Sequence, residues 1–132
     1  MKEILTPIAP GELIDKLTIL RLKTENISDE NKLANVQHEL EVLTAVSDAA
    51  ILPSEELTRL WELLYGVNAD LWVIEDDIRK LEADNDFGAG FVGLARAVYV
   101  TNDERAKLKK QINILLGSDL IEEKSYYDHG AH

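Results

Sequence analysis

The strongest constraint on the fold is a continuous apolar stripe in the middle of the chain. Its members are separated alternately by 3 and 4 positions, and they are Leu57, Leu60, Leu64, Val67, Leu71, Ile74, Ile78 and Leu81. This period places all of them on one face of an α-helix. Because Pro53 and Ser54 precede the stripe and Asp84 follows it, we predict one long helix over about residues 55–83.

Two shorter helices are predicted before the long one. Pro10 is typical of a first helical turn, because its fixed φ and missing N–H are harmless there, and the pattern continues to about Thr24. Ser28 is a suitable N-cap for a second helix over about 29–46. The apolar stripes of these two helices are Leu13, Leu17 and Leu20 in the first, and Leu33, Val36, Leu40 and Leu43 in the second.

The segment after the long helix is less regular. Thr101 and Glu104 form a T-x-x-E capping box, which predicts a last helix beginning there, and Gly117 is suited to its C-terminal end. Residues 91–98 predict a short additional helix, although residues 98–100 are equally compatible with a brief extended piece.

We therefore predict an all-α fold, an antiparallel helical bundle of four to five helices built around the long helix at about 55–83. The chain has no linker or repeat, so residues 1–132 are predicted to form a single domain. Its tail, about 118–132, is expected to fray after docking partly through Leu120, Ile121 and Tyr126.

Composition narrows the function classes. The 14 basic and 25 acidic residues give a net charge of −11, which disfavours binding to a nucleic-acid backbone. No apolar run approaches the roughly 20 residues of a membrane helix, and residues 1–5 do not resemble a signal peptide. There is no cysteine, so disulfides and thiolate metal sites are excluded. We expect a cytoplasmic protein with neither a nucleic-acid nor a membrane partner.

Several segments together resemble a bacterial family of small all-helical proteins of unknown function. The resemblance covers nearly the whole chain and is carried mainly by GELIDKLTIL at residues 11–20, LWVIEDDIR at 71–79 and TNDER at 101–105. It supports the all-α interpretation. It implies no chemistry, because the family has no assigned activity.

Polar rows lie beside the apolar stripes of three predicted helices, and they supply the candidate binding residues. Side chains that flank a helix core are typically half-buried, where an unpaired charge is costly, so each must find a partner in the fold or in a ligand. The rows are Glu12, Asp15, Lys16 and Lys23 in the first helix, Trp72, Glu75, Asp76 and Arg79 in the long helix, and Asn102, Arg105, Lys109 and Asn113 in the last. All of these except Lys23 are the binding candidates.

Two interpretations of these rows remain open. In the first, the charges pair with one another, Glu12 or Glu75 with Arg105 or Lys109, and fix the register of the helices. In the second, the three helices enclose a groove for a small anionic ligand, which Arg105, Lys109 and Asn113 bind while Trp72 forms an apolar wall.

An enzyme is the alternative. All-α nucleotide pyrophosphohydrolases hold Mg²⁺ with carboxylates from bundle helices, but only Glu12 and Asp15 fit the E-x-x-D spacing here. A chorismate-mutase-like pocket for a dicarboxylate would use the basic row instead, by analogy of fold alone. Under the enzyme interpretation Mg²⁺ is the only cofactor expected; otherwise none is, and His129 and His132 are not expected to bind a metal.

The sequence favours a small helical binding or interaction module with a charged groove between the first, long and last helices. A protein partner, or a second copy of the chain bound through part of the long helix, is expected, with a small anionic ligand in the groove as a further candidate. No catalytic residue can be assigned. Substrate, partner identity and pathway do not follow from the residues.

Overall fold

The computed structural model describes residues 1–126, which form four α-helices and no strand. The helices are α1 (Pro10–Asn26), α2 (Glu30–Ala50), α3 (Glu55–Ala83) and α4 (Ala89–Leu115). The predicted all-α class is confirmed. Within the same residues, no helix has both the length and the apolar character needed to cross a membrane. His129 and His132 lie outside the described residues.

The helix that contacts all three others is α1, not the long α3 as the sequence suggested. α3 and α4 form an antiparallel hairpin, α1 lies on one side of it, and α2 packs on α1. The core lies where α1 meets the base of the hairpin, and its buried members are Leu13, Ile14, Leu17, Leu57, Leu60, Leu64 and Ile112. The short amphipathic α1 is therefore the element that joins the fold.

Local chemistry explains where the helices end. The Ser54 hydroxyl accepts a hydrogen bond from the Leu57 amide at 3.1 Å and caps α3, as its position predicted. Gly117 adopts φ of 65° after α4, and the amides of Gly117 and Ser118 donate back to the carbonyls of Ile114 and Asn113. This Schellman arrangement satisfies carbonyls that the last turn leaves unpaired.

The prediction of separate fourth and fifth helices was wrong. α4 runs without a break from Ala89 to Leu115, so residues 98–100 are helical and Thr101 lies inside the helix rather than at its start. The T-x-x-E box is a local preference, whereas Phe91, Val98 and Arg105 continue one helical face. Packing of that face against its neighbours outweighs the local preference.

The second helix also differs from its prediction. Asp29, rather than Ser28, is its N-cap, and the Asp29 carboxylate accepts a hydrogen bond from the Lys32 amide at 2.9 Å. The helix continues to Ala50, four residues beyond the predicted end. Ser28 and Asp29 are both favourable capping residues, so the sequence alone did not separate them.

The outer part of the α3/α4 hairpin carries no buried residue. We call residues 72–100, which include the turn between the helices, the distal hairpin; all of them are half-buried or exposed. The apolar stripe of α3 is buried at Leu57, Leu60, Leu64 and Leu71, but its later members are only half-buried. Val73 is 57% exposed and Val100 50%. The distal hairpin thus presents apolar surface without cover from α1 or α2 in residues 1–126.

Both chain ends of the described region lie on the surface. Residues 1–8 are extended and exposed. After α4 the tail follows the helix through ion pairs, Glu122 with Lys109, Glu123 with Lys110 and Lys124 with Asp103. Its apolar side chains, expected to dock, are exposed instead; they are Leu120, Ile121 and Tyr126.

Candidate functional site

A buried carboxylate lies where α1, α3 and α4 meet. Asp15 is 1% exposed and accepts two hydrogen bonds from the Arg105 guanidinium, from Nε at 2.9 Å and from Nη2 at 2.5 Å. This planar, two-bond geometry is the strong form of a carboxylate–arginine pair. The Asp15 carboxylate raises the pKa of Arg105 above its ordinary value, chiefly through these hydrogen bonds.

Two neutral side chains complete this cluster. The Asn68 amide nitrogen donates to Asp15 Oδ1 and to the Thr18 hydroxyl, both at 2.9 Å, and the Thr18 hydroxyl donates to the Asp15 carbonyl. No fully buried side-chain nitrogen or oxygen among the described residues lacks a partner. The cluster is a satisfied network that fixes the register of three helices.

A second polar group, which we call the tie, joins the start of α1 to the last turns of α4. It lies one helical turn from the Asp15–Arg105 pair. Lys109 Nζ lies 2.7 Å from Glu12 and 3.5 Å from Glu122. The Gly11 amide, one of the unpaired donors at the start of α1, donates to Asn113 Oδ1 at 2.7 Å. A Cβ built on Gly11 would overlap the Lys109 carbonyl oxygen, so glycine is required for this close approach.

A groove opens beside the Asp15–Arg105 pair, between α1 and the α3/α4 hairpin, where the distal hairpin begins. Its volume is about 350 Å³ and its walls come from three helices. The lining includes five of the predicted candidates, four polar side chains and Trp72, and it adds Asn68 and apolar side chains from α1 and α3. The lining residues are Ile19, Leu22, Asn68, Leu71, Trp72, Glu75, Asp76, Asn102 and Arg105. We call this the α1/α3/α4 groove.

The other candidates lie outside that groove. Lys16 is exposed on α1. Arg79 is exposed on α3 and its Nε lies 3.3 Å from Glu75, one helical turn away. Glu12, Lys109 and Asn113 belong to the tie near the start of α1, and Asp15 lies in the buried cluster. The eleven candidates therefore divide between this tie, the buried cluster, the groove and the open surface. No group of three or more His, Asp or Glu side chains in residues 1–126 is arranged to hold a metal ion.

A separate aromatic cluster lies on the other side of α1. The rings of Trp61 and Tyr65 stack with centroids 6.0 Å apart, and the Arg21 guanidinium lies over both, 4.3 Å from the Tyr65 centroid. The Tyr65 hydroxyl donates to Glu25, which raises the pKa of Tyr65 because ionisation would place a phenolate beside a carboxylate. An open groove of about 560 Å³ adjoins Trp61 and Arg21.

A family model described as a family of unknown function, DUF6165, matches residues 4–130. The chain belongs to this family. Neither the curated proteins nor the solved structures include a match to it. The resemblance stated from the sequence is thereby confirmed at the level of the family, and function must be argued from the geometry of this DUF6165 chain.

Sequence reasoning found the charged residues of this DUF6165 chain but not all of their partners. The Glu12–Lys109 pair was among those expected, whereas Arg105 pairs with Asp15 rather than with Glu12 or Glu75. Asn68 was missed as a site residue. Its signal was present, since Asn68 lies between Tyr65 and Trp72 on a stripe of α3 that begins at Trp61 and continues to Glu75 and Arg79. A polar residue buried between aromatic side chains must be hydrogen-bonded.

Proposed function

We propose that this DUF6165 chain is a cytoplasmic interaction module that binds a protein partner along the distal hairpin and the adjoining α1/α3/α4 groove. One observation carries the proposal: 29 consecutive residues, 72–100, contain none that is buried, although they include many apolar side chains. Two antiparallel helices cover only one side of each other. A third surface is needed to bury the remainder, and contiguous exposed apolar surface is typical of interaction sites.

The polar network supports the same proposal. Hydrogen bonds join the side chains of α1, α3 and α4 in one buried network, formed by Asp15, Thr18, Asn68 and Arg105. This network holds the hairpin at a fixed angle to α1. A surface presented by a rigid scaffold loses little conformational freedom on binding, which favours affinity.

The same contacts favour a binding module over the alternative of an enzyme for phosphorylated or carboxylated molecules. That alternative requires Arg105 and Lys109 to hold the anion of the substrate. Arg105 is already bound by Asp15 through two hydrogen bonds, and Lys109 by Glu12. Breaking the buried Asp15–Arg105 pair to admit an anion would leave a buried carboxylate unpaired, at a cost of several kcal/mol.

Site-specific photo-crosslinking tests the proposal. A benzophenone amino acid is placed at Val73 or at Val100 in the distal hairpin, and for comparison at Val46 on α2, which is similarly exposed at 48%. In cells that express the chain, both hairpin positions are expected to crosslink to one and the same protein, and position 46 is not. A Val73→Asp variant should lose the product at position 100, whereas Val46→Asp should retain it.

Two results would overturn the interaction module. One is the same set of products from all three positions, which indicates random collision. The other is the absence of any product from the hairpin positions. A product consisting of two copies of this chain would identify the partner as a homodimer subunit.

A further inference from the structure

We infer that the partner inserts a positively charged side chain, arginine or lysine, into the α1/α3/α4 groove, where Trp72 stacks on it and Glu75 and Asp76 bind its charge. This inference rests on the proposed interaction module and names what the partner must present there. The ligand group inferred here is a cation, whereas the basic row of the last helix predicted an anion.

The charge of the groove is set by what Arg105 already contacts. Among residues 1–126, Arg105 is the only basic residue in the lining, and its guanidinium is neutralised by Asp15. Its Nη1 also donates to Asn102 Oδ1 at 3.4 Å. Glu75 and Asp76 are the remaining charged groups of the lining, so the net charge left for a ligand is negative.

The ion pair that Glu75 forms with Arg79 is weak, so another cation can replace Arg79. Arg79 approaches Glu75 along the surface of the same helix, and the Arg79 side chain is 78% exposed. Such pairs contribute little to stability because water and salt compete for both groups. A cation that enters the groove, partly shielded from water, interacts with the same carboxylate more strongly.

The other lining residues suit the stem of such a side chain. Leu22 and Leu71 are buried, and with Ile19 they form an apolar surface beside the half-buried Trp72 ring. The aliphatic part of Arg or Lys packs on such surface, and a cation over an indole ring is favoured by the ring's quadrupole. The volume of about 350 Å³ lies at the small end of the roughly 300–1,000 Å³ typical of ligand pockets. It therefore fits one side chain better than a large cofactor.

The charge of the whole distal hairpin favours another protein over a second copy of this chain. Residues 72–100 contain six carboxylate and three basic side chains, a net charge of −3, and the chain itself carries −11. Two such hairpins would repel each other, whereas a basic amphipathic helix would complement both the charge and the exposed apolar side chains.

The two tryptophans make the inference directly testable by fluorescence. In a Trp61→Phe protein, Trp72 is the only indole, and in a Trp72→Phe protein only Trp61 remains. The probe is an 18-residue amphipathic helical peptide of Leu and Arg, with Leu/Gln and Leu/Glu peptides of the same pattern as controls. The Leu/Arg peptide is expected to change the Trp72 emission saturably and to leave the Trp61 emission unchanged.

Matched charge variants separate a specific site from general attraction. Glu75→Gln with Asp76→Asn removes the two groove carboxylates, and Asp70→Asn with Asp77→Asn removes two exposed carboxylates of α3 that do not line the groove. The first pair is expected to weaken the Leu/Arg peptide about tenfold or more and the second less than about twofold. Equal weakening by both pairs would overturn the inference, as would equal binding of the Leu/Gln peptide or no Trp72 response up to millimolar peptide.

Two further results assign the source of the cation. Spermidine that binds as tightly as the peptide, with the same dependence on Glu75 and Asp76, would overturn the assignment to a protein side chain. A concentration-dependent dimer that shifts the Trp72 emission without peptide would likewise identify a second copy. If the hairpin crosslinks to a partner but Glu75→Gln with Asp76→Asn leaves that crosslink unchanged, only this inference fails and the interaction module stands.

Discussion

At the scale of single residues, Asp15 has the most demanding environment in the described chain. It is almost completely buried, and its charge is balanced by an Arg105 side chain that remains 29% exposed. A buried ion pair need not stabilise a fold more than apolar packing would, but removal of one partner leaves the other without compensation. Asn68 and Thr18 add hydrogen bonds that no apolar substitute would make. The pair therefore specifies the register of α1 on the hairpin.

Asp15→Asn is expected to lower the free energy of unfolding by about 3 kcal/mol, since Arg105 loses its counter-charge in a half-buried position. Urea denaturation followed by circular dichroism measures the change. The control is Arg79→Gln, which breaks an exposed pair on α3 and should change stability by no more than about 0.5 kcal/mol. Similar losses for the two variants would show that Arg105 regains full hydration when Asp15 is replaced.

At the scale of the helices, local chemistry could be predicted and non-local contacts could not. The bounds of α3, the Ser54 cap and the role of Gly117 were predicted because each depends on neighbours within a few positions. The continuity of α4 and the Asp15–Arg105 pair were not, because they depend on contacts between residues up to 90 positions apart. For the same reason the sequence supplied the candidate rows but not their contacts: the structure brings five of the eleven candidates to one groove and pairs Arg105 with Asp15.

The start of α2 gives a test of local capping. Asp29→Ala is expected to destabilise the protein by about 1 kcal/mol, because the Lys32 amide loses its side-chain acceptor. Ser28→Ala, one residue earlier, removes the cap that the sequence favoured but the structure does not use, and should be close to neutral. Thermal unfolding at one protein concentration compares the two variants. The reverse order would show that Ser28 caps the helix in solution.

At the scale of the whole molecule, the surface is large for the mass. The accessible area is 9413 Å², whereas a compact protein of 14.8 kDa is expected to expose about 7,000 Å². Residues 1–8 are exposed and no residue of the distal hairpin is buried, so both segments contribute to the difference. A standard interface removes about 800 Å² from each partner, so binding along the hairpin would bring this chain closer to a compact protein.

Amide hydrogen exchange should distinguish the distal hairpin from the core of the molecule. Backbone amides of residues 74–98 are expected to exchange faster than those of residues 13–22 and 60–68, because opening the distal hairpin exposes no buried core. Mass spectrometry of pepsin fragments resolves these segments. Uniform protection along α3 would contradict the division, and selective slowing of the distal segment by the Leu/Arg peptide would place the peptide on the hairpin.

The contacts between Gly11 and Asn113 and between Asp15 and Arg105 also have a consequence for synthesis on the ribosome. They join residues 102 and 90 positions apart, so α1 emerges long before its partners exist. At about 5–20 residues per second, α1 waits roughly 5–20 s with Asp15 unpaired. It cannot be seated on the hairpin until α4 has been made. A nascent chain of this protein therefore carries α1 with only α2 to pack against, and Asp15 stays unpaired until Arg105 has been added.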